Sequence, residues 1–181
     1  MKWTDARGSR FDTAARSVGP VLVAAAIGNL FVRREDLQWF GALRHPRMHL
    51  PMPGFLAVGA LYYVCIGTVI HRSIVREDKG THRLALVVLT GNEIWNFAFF
   101  GRHSTRAGFL GLVGFAVPVC LLQARLTNDR VAAGVFAPYT AWVLGYDLPW
   151  TFQLWRLNQC VPGNLARRDG AAPAQQWRSP G

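Results

Sequence analysis

The stretch Gly91-Asn-Glu-Ile-Trp-Asn-Phe-Ala-Phe-Phe-Gly101 decides how this chain reads. It lies within an apolar run, residues 84–100, that approaches the length of about 20 residues a helix needs to cross a bilayer. Asn92, Glu93 and Asn96 nevertheless sit in the middle of it. An amide or carboxyl at that depth does not face lipid without a large penalty, so it must turn toward protein, water or a ligand. At helical spacing Asn92, Asn96 and Phe100 share one face, and Trp95 and Phe99 lie together on the neighbouring one. Amides beside large aromatics suit a ligand that is flat, mostly apolar and polar only at its edges. A polar patch that only holds helices together has the same composition and is the alternative.

Working outward, four more apolar runs appear, at 17–32, 55–70, 107–124 and 131–158, with charged loops between them. Of the 181 residues 51% are hydrophobic and 12% aromatic, and the formal net charge is +10. That surplus is not arranged as a basic helix face. Arg33, Arg72, Arg102, Arg125 and Arg156 fall at the edges of apolar runs, the pattern of helix ends at a membrane surface, so a bilayer and not nucleic acid is the expected partner. The resulting fold class is an all-α membrane protein, a bundle of five transmembrane helices, with its amino and carboxyl ends on opposite sides. Residues 1–16 form a polar amino-terminal arm, 17–158 the membrane domain, and 159–181 a Gly/Pro/Ala/Gln/Arg-rich tail expected to be disordered. Lys and Arg divide evenly between the two sides, so the positive-inside rule sets no orientation. The first run resembles a signal peptide taken alone, but four further spans favour a retained helix.

The loop at 33–54, RREDLQWFGALRHPRMHLPMPG, is long for a connection between spans. Pro46, Pro51 and Pro53 prevent one continuous helix. Trp39 and Phe40 are expected at the membrane interface or folded back over the helix ends. His45 and His49 are four apart, but the intervening proline spoils helical ligand geometry, and no metal site is predicted. Cys65, Cys120 and Cys160 have no metal-ligand spacing and read as small apolar residues. Ala133, Ala137, Ala141 and Gly145 repeat every four residues in the last run, a small-residue stripe read first as packing within the chain and second as a dimer face.

Taken in order, the marks form a pattern. Trp39, Phe40, Leu43, Pro46, Pro51 and Phe55 come first. Asn92, Trp95, Phe99, Phe100 and Gly101 come next, then Asp129, Ala132, Pro138, Tyr139, Trp142, Leu157 and Asn158. With these residues the chain resembles the translocator protein family, TspO/MBR, also called tryptophan-rich sensory proteins or peripheral benzodiazepine receptors, over about residues 17–158. It departs from the family where Lys-Pro-x-Trp-x-Pro-Pro is expected, having His45, Pro46, Met48, Leu50 and Pro51. A second-helix tryptophan falls on Gly59 or Val58, and a Leu-Asn midway along the last helix on Leu148-Pro149. Two wall-forming tryptophans are thus absent.

The resemblance implies a membrane homodimer that binds tetrapyrroles such as protoporphyrin IX or haem as ligand, with no cofactor required. Its ligand-binding residues would be Trp39, Phe40, Pro46, Asn92, Trp95, Phe99, Tyr139, Trp142 and Asp147. Trp39, Phe40, Trp95, Phe99 and Trp142 would supply the walls and Asn92 and Tyr139 the polar anchors. Asp147, about 24 Å along its helix at 1.5 Å per residue, is expected at the boundary beside the first loop, where Arg44, Arg47, His45 or His49 would neutralise it. The catalytic inventory is thin, so a receptor or carrier is favoured over an enzyme acting oxidatively on a bound porphyrin, and over a regulatory membrane protein without its own ligand.

Overall fold

The computed structural model describes residues 3–30 and 32–159, and every regular element among them is helical. In chain order these are α1 (Trp3–Leu30), α2 (Arg34–Ala42), α3 (Met52–Val75), α4 (Lys79–Asn96), α5 (Thr105–Arg125), α6 (Arg130–Trp142) and α7 (Leu148–Leu157). Two π-helical segments, Phe97–Gly101 and Val143–Asp147, extend α4 and join α6 to α7. The polar amino-terminal arm is thus helical from Trp3, continuous with the first apolar run. The predicted disordered tail, with Cys160, lies outside the described residues.

The starts of the helices follow from local chemistry. Asp78 accepts from the backbone N–H groups of Gly80 and Thr81 at the start of α4, Ser104 from Ala107 at α5, and Asp129 from Ala132 at α6. Each thereby satisfies a donor that the first turn leaves open. Pro51, Pro53 and Gly54 open α3, where a missing N–H does no harm.

α3 is the centre of the bundle, packing on α1, α4 and α6, while α5 packs on α4 and α7. Ile66, Val69, Ile70, Val88, Val119, Leu122 and Phe136 are buried in the shared core. The outer faces are equally apolar. Leu22, Val64 and Val117 are 64%, 65% and 58% exposed, and an apolar exterior around an apolar core marks a protein whose solvent is lipid. Among the described residues three helices are long and apolar enough to cross a membrane, Met52–Val75, Lys79–Gly101 and Thr105–Asn128, and a fourth span arises if the bent pair Ala15–Leu30 and Arg34–Ala42 counts as one. The run 130–157 is not among them, because Pro138, Tyr139, Thr140, Tyr146, Asp147 and Pro149 dilute its hydropathy. The structure therefore supports three to four spans of the five expected. Within that last run the small-residue stripe does not pack inward as first expected: Ala137, Ala141 and Gly145 are exposed and only Ala133 is half-buried.

Candidate ligand-binding site

The first loop folds back over one end of the bundle. Its helical part, α2, begins where the Asp36 carboxylate accepts from the Arg33 backbone N–H at 2.8 Å. The other Asp36 oxygen meets His103 Nε2 at 2.7 Å, which ties α2 to the turn between the 97–101 segment and α5. Burial pushes the Asp36 carboxyl up, but the bonds from Arg33 and His103 together outweigh it and hold the group below its ordinary value. His103 reaches Asp36 from a left-handed backbone, φ 46°, a conformation that costs a non-glycine residue on the order of 1 kcal/mol or more. Its ring also stacks on Trp39 at 4.8 Å.

The remainder of the loop is held through its main chain. Tyr146 Oη donates to the Met48 carbonyl at 2.8 Å and accepts from the Leu50 N–H at 2.9 Å. The Asn158 amide donates to the Arg44 carbonyl at 3.0 Å and accepts from its N–H at 3.1 Å.

Beneath this lid four of the predicted wall residues meet. Phe99, 1% exposed, has Trp39 edge-on at 5.4 Å, Trp95 stacked at 5.5 Å and Phe40 at 6.0 Å. Trp142 reaches the cluster through Phe55, at 6.4 Å, which itself lies 6.3 Å from Phe40. Pro46 is buried in the loop. Trp95 Nε1 donates to the Gly108 carbonyl at 2.9 Å, fixing its ring.

Three expectations are not met by the geometry. The amides of Asn92 and Asn96 do not turn to the aromatic end; both donate to Glu93, at 3.1 and 3.2 Å, beside the Tyr63 hydroxyl at 2.9 Å. Glu93 therefore finds partners on its own helix and α3, and Asn92 serves it. Tyr139 packs on Tyr62 at 4.5 Å within the main core, away from the lid. Asp147 lies at the expected level, next to Tyr146, but its side chain meets Trp142. No ion pair joins it to Arg44 or Arg47 among the described residues. The π-helical segment Val143–Asp147 changes the helical register just there, and Tyr146, not Asp147, is presented to the loop.

The same segments explain what the α-helical wheel misplaced. α-Helical spacing sets adjacent residues about 100° apart, yet Phe99 and Phe100 both reach Phe40, at 6.0 and 5.9 Å, because both lie in the wider π turn 97–101. Such turns recur at functional sites.

Sequence reasoning also passed over Tyr146 and Trp150. Their signal was present: Trp142, Tyr146 and Trp150 recur every four residues, and the structure stacks them at 4.3 and 6.4 Å. Trp150, 4% exposed, stacks in turn on His49 at 6.0 Å, and His49 on His45 at 3.9 Å. Three atoms of this stack, His45 Nδ1, His49 Nδ1 and Trp150 Nε1, are buried with no hydrogen-bond partner among the described residues. Burial lowers the pKa of both imidazoles, and His49 lowers that of His45 further, against a smaller opposing contribution from the Phe40 backbone. The end of the bundle thus offers aromatic walls, one fixed N–H donor and two imidazole nitrogens that donate or accept according to tautomer.

Comparison with curated proteins yields no match to this chain. The sequence model of the TspO/MBR family matches residues 17–156, which includes every wall residue and Asn92, Tyr139 and Asp147. The chain belongs to the TspO/MBR family.

Proposed function

We propose that this protein is a five-helix membrane receptor or carrier that takes a planar, largely apolar ligand with polar edges, a porphyrin or related tetrapyrrole, at the aromatic end of the bundle under the first loop. The observation that carries the reading is the set of three orphaned polar atoms among aromatic rings. A buried polar atom without a partner costs about 1–3 kcal/mol, and three in one stack are donors and acceptors that a ligand with polar edges would satisfy. A porphyrin matches on both counts, since its face stacks on aromatic rings and its pyrrole nitrogens and carboxylates supply donors and acceptors. Arg44 and Arg47, both exposed on the loop, are placed for carboxylates that reach the rim. On this reading α6, the π segment and α7 together supply the fifth span. The outward-facing Ala137, Ala141 and Gly145 stripe supports self-association of two copies.

The test is titration of protoporphyrin IX into the purified protein in lipid nanodiscs, read by tryptophan quenching and the porphyrin absorption band. Trp150→Phe removes the orphaned donor while keeping a ring, and His49→Leu removes one imidazole. Each is expected to weaken binding about fivefold to a hundredfold, the range for leaving a polar partner unmatched. Equal affinity in wild type, Trp150→Phe and His49→Leu, or no saturable quenching by wild type, would overturn the assignment.

A further inference from the structure

At the opposite end of the bundle the spans Met52–Val75 and Thr105–Asn128 end and Lys79–Gly101 begins. Their ends enclose a cavity of about 350 Å³ lined by Arg72, Arg76, Asp78, Arg125, Asn128 and Asp129, among others. Three guanidinium groups thus face two carboxylates.

Both carboxylates are already committed. Asp129 takes Arg72 Nε on both oxygens, at 2.8 and 3.0 Å, and the Ala132 N–H at 3.2 Å as the cap of α6. Asp78 caps α4 through Gly80 and Thr81 at 3.1 and 3.0 Å and takes the Thr81 hydroxyl at 2.6 Å. The Thr81 bonds, with the Arg125 contact adding to them, outweigh desolvation and hold the Asp78 carboxyl down at about 2.

The guanidinium groups are not so committed. Among the described residues Arg72 donates through its Nε alone. Arg76 makes no hydrogen bond among the described residues, its Nε lying 3.8 Å from Asp129. Arg125 donates Nε to the Thr81 hydroxyl at 3.1 Å and has a long contact of 3.4 Å to Asp78. It packs against Gly80, where a Cβ would stand 2.7 Å from its Cζ, so only glycine leaves it that position. Most of the terminal N–H donors of three guanidinium forks are therefore unspent. The adjoining groove adds Arg16, Lys79 and Arg83 against Glu77.

We propose that this cavity binds the phosphate of an anionic lipid headgroup. Guanidinium forks match phosphate oxygens in a bidentate way. A basic pocket between helices at a membrane surface meets lipid phosphates at their own depth. The site is distinct from the aromatic end and does not depend on what binds there. Its structural competitor is a pair of ties between helix ends, Arg72 to Asp129 and Arg125 to Asp78. Arg76 separates the two, because it donates no hydrogen bond to either tie, stands 3.8 Å from the Asp129 carboxylate and is half exposed, at 52% of its side chain.

The experiment uses the full chain in nanodiscs of phosphatidylcholine alone or with phosphatidylglycerol. Native mass spectrometry reads retained phosphatidylglycerol, and thermal denaturation reads stability. The expected result is a higher melting temperature in the phosphatidylglycerol discs. Arg76→Gln should retain about fivefold less phosphatidylglycerol, the contribution of one basic residue near the surface, with an unchanged melting temperature in phosphatidylcholine. A third arm adds millimolar inorganic phosphate to phosphatidylcholine discs. If it reproduces the full stabilisation, the ligand is a soluble phosphate and the lipid assignment is overturned. Equal phosphatidylglycerol retention by wild type and Arg76→Gln overturns the site altogether.

Discussion

Gly108 carries a sharp test of how the aromatic end is packed. Its carbonyl accepts from Trp95 Nε1, and a Cβ placed on it would overlap Phe99 Cδ2 and lie 3.1 Å from both Cγ and Cε2 of that ring. Phe99 has nowhere to go, since Trp39, Phe40, Trp95 and Phe100 surround it within 6.0 Å between centroids. Overfilling a packed core costs about 1–3 kcal/mol, against which alanine returns up to about 1 kcal/mol of helix propensity. Gly108→Ala should therefore be destabilising by about 1–2 kcal/mol. Gly114, on the same helix, has nothing within 4 Å of a built Cβ, so Gly114→Ala should gain up to about 1 kcal/mol. Gly111 is intermediate, with Trp95 Cδ1 at 3.4 Å, an ordinary contact. A spread of about 2 kcal/mol between the first and last variants corresponds to about 4–8 °C in melting temperature for a chain of this size. Differential scanning fluorimetry in detergent reads the order, and tryptophan emission reads whether the Trp95–Phe99 stack has moved. If Gly108→Ala melts at or above Gly114→Ala with unchanged emission, the close packing described around Phe99 is wrong.

Three further outcomes are expected from the geometry. Tyr146→Phe removes both main-chain contacts to the loop, each worth about 1 kcal/mol, so trypsin should cut after Arg44 or Arg47 severalfold faster than in wild type; an unchanged rate would mean that the tyrosine does not hold the lid. Asp129→Asn keeps a capping side chain and loses the ion pairs, whereas Asp129→Ala loses both, so the alanine variant should be less stable by about a further 1 kcal/mol, and equal melting temperatures would discount the cap. His45 and His49 have depressed pKa values in the folded protein, so their contribution is complete above the ordinary histidine value of about 6.5 and is withdrawn as pH falls through the folded values. Hydrogen exchange of residues 43–50, corrected for intrinsic rate, should rise on acidification from pH 7 to 5 and should not do so in His45→Gln/His49→Gln.

How much the sequence disclosed depended on the range of the interaction. Helical spacing placed Trp95 and Phe99 side by side, and only the family resemblance grouped them with Trp39 and Phe40 as walls, which the structure brings together as one cluster. The pairing of Asn92 and Asn96 with Glu93 was not legible, although all three lie within five residues. The helical wheel gave the face but not which group would satisfy which, and Tyr63 on another helix completes the set. Asp147 was placed at the right level by its distance along the helix and given the wrong partner, because a single π turn at 143–147 shifts the helical register there. Trp150 and His49 were missed as a pair for a different reason: their stacking depends on how the loop returns over the bundle, and no local period encodes that.

The way the loop is fastened bears on why the site departs from the pattern of its family. Tyr146 and Asn158 address only main-chain groups, the carbonyl of Met48, the N–H of Leu50 and both backbone groups of Arg44. These two fastenings use none of the side chains at 44, 45, 47, 48 or 49. His45 and Met48 stand where the resemblance leads to lysine and tryptophan. Met48 turns outward, 79% exposed, so this position supplies no ring to the aromatic end. His45 and His49 turn inward and stack, and the rings that line the lid are supplied by them and by Trp150 from α7. A fastening indifferent to side chains lets the lining change from aromatic indole to titratable imidazole while the lid keeps its place. If the proposed ligand site holds, the polar stack of His45, His49 and Trp150 would set ligand preference, and the wall around Phe99 would require only that the ligand be flat and apolar.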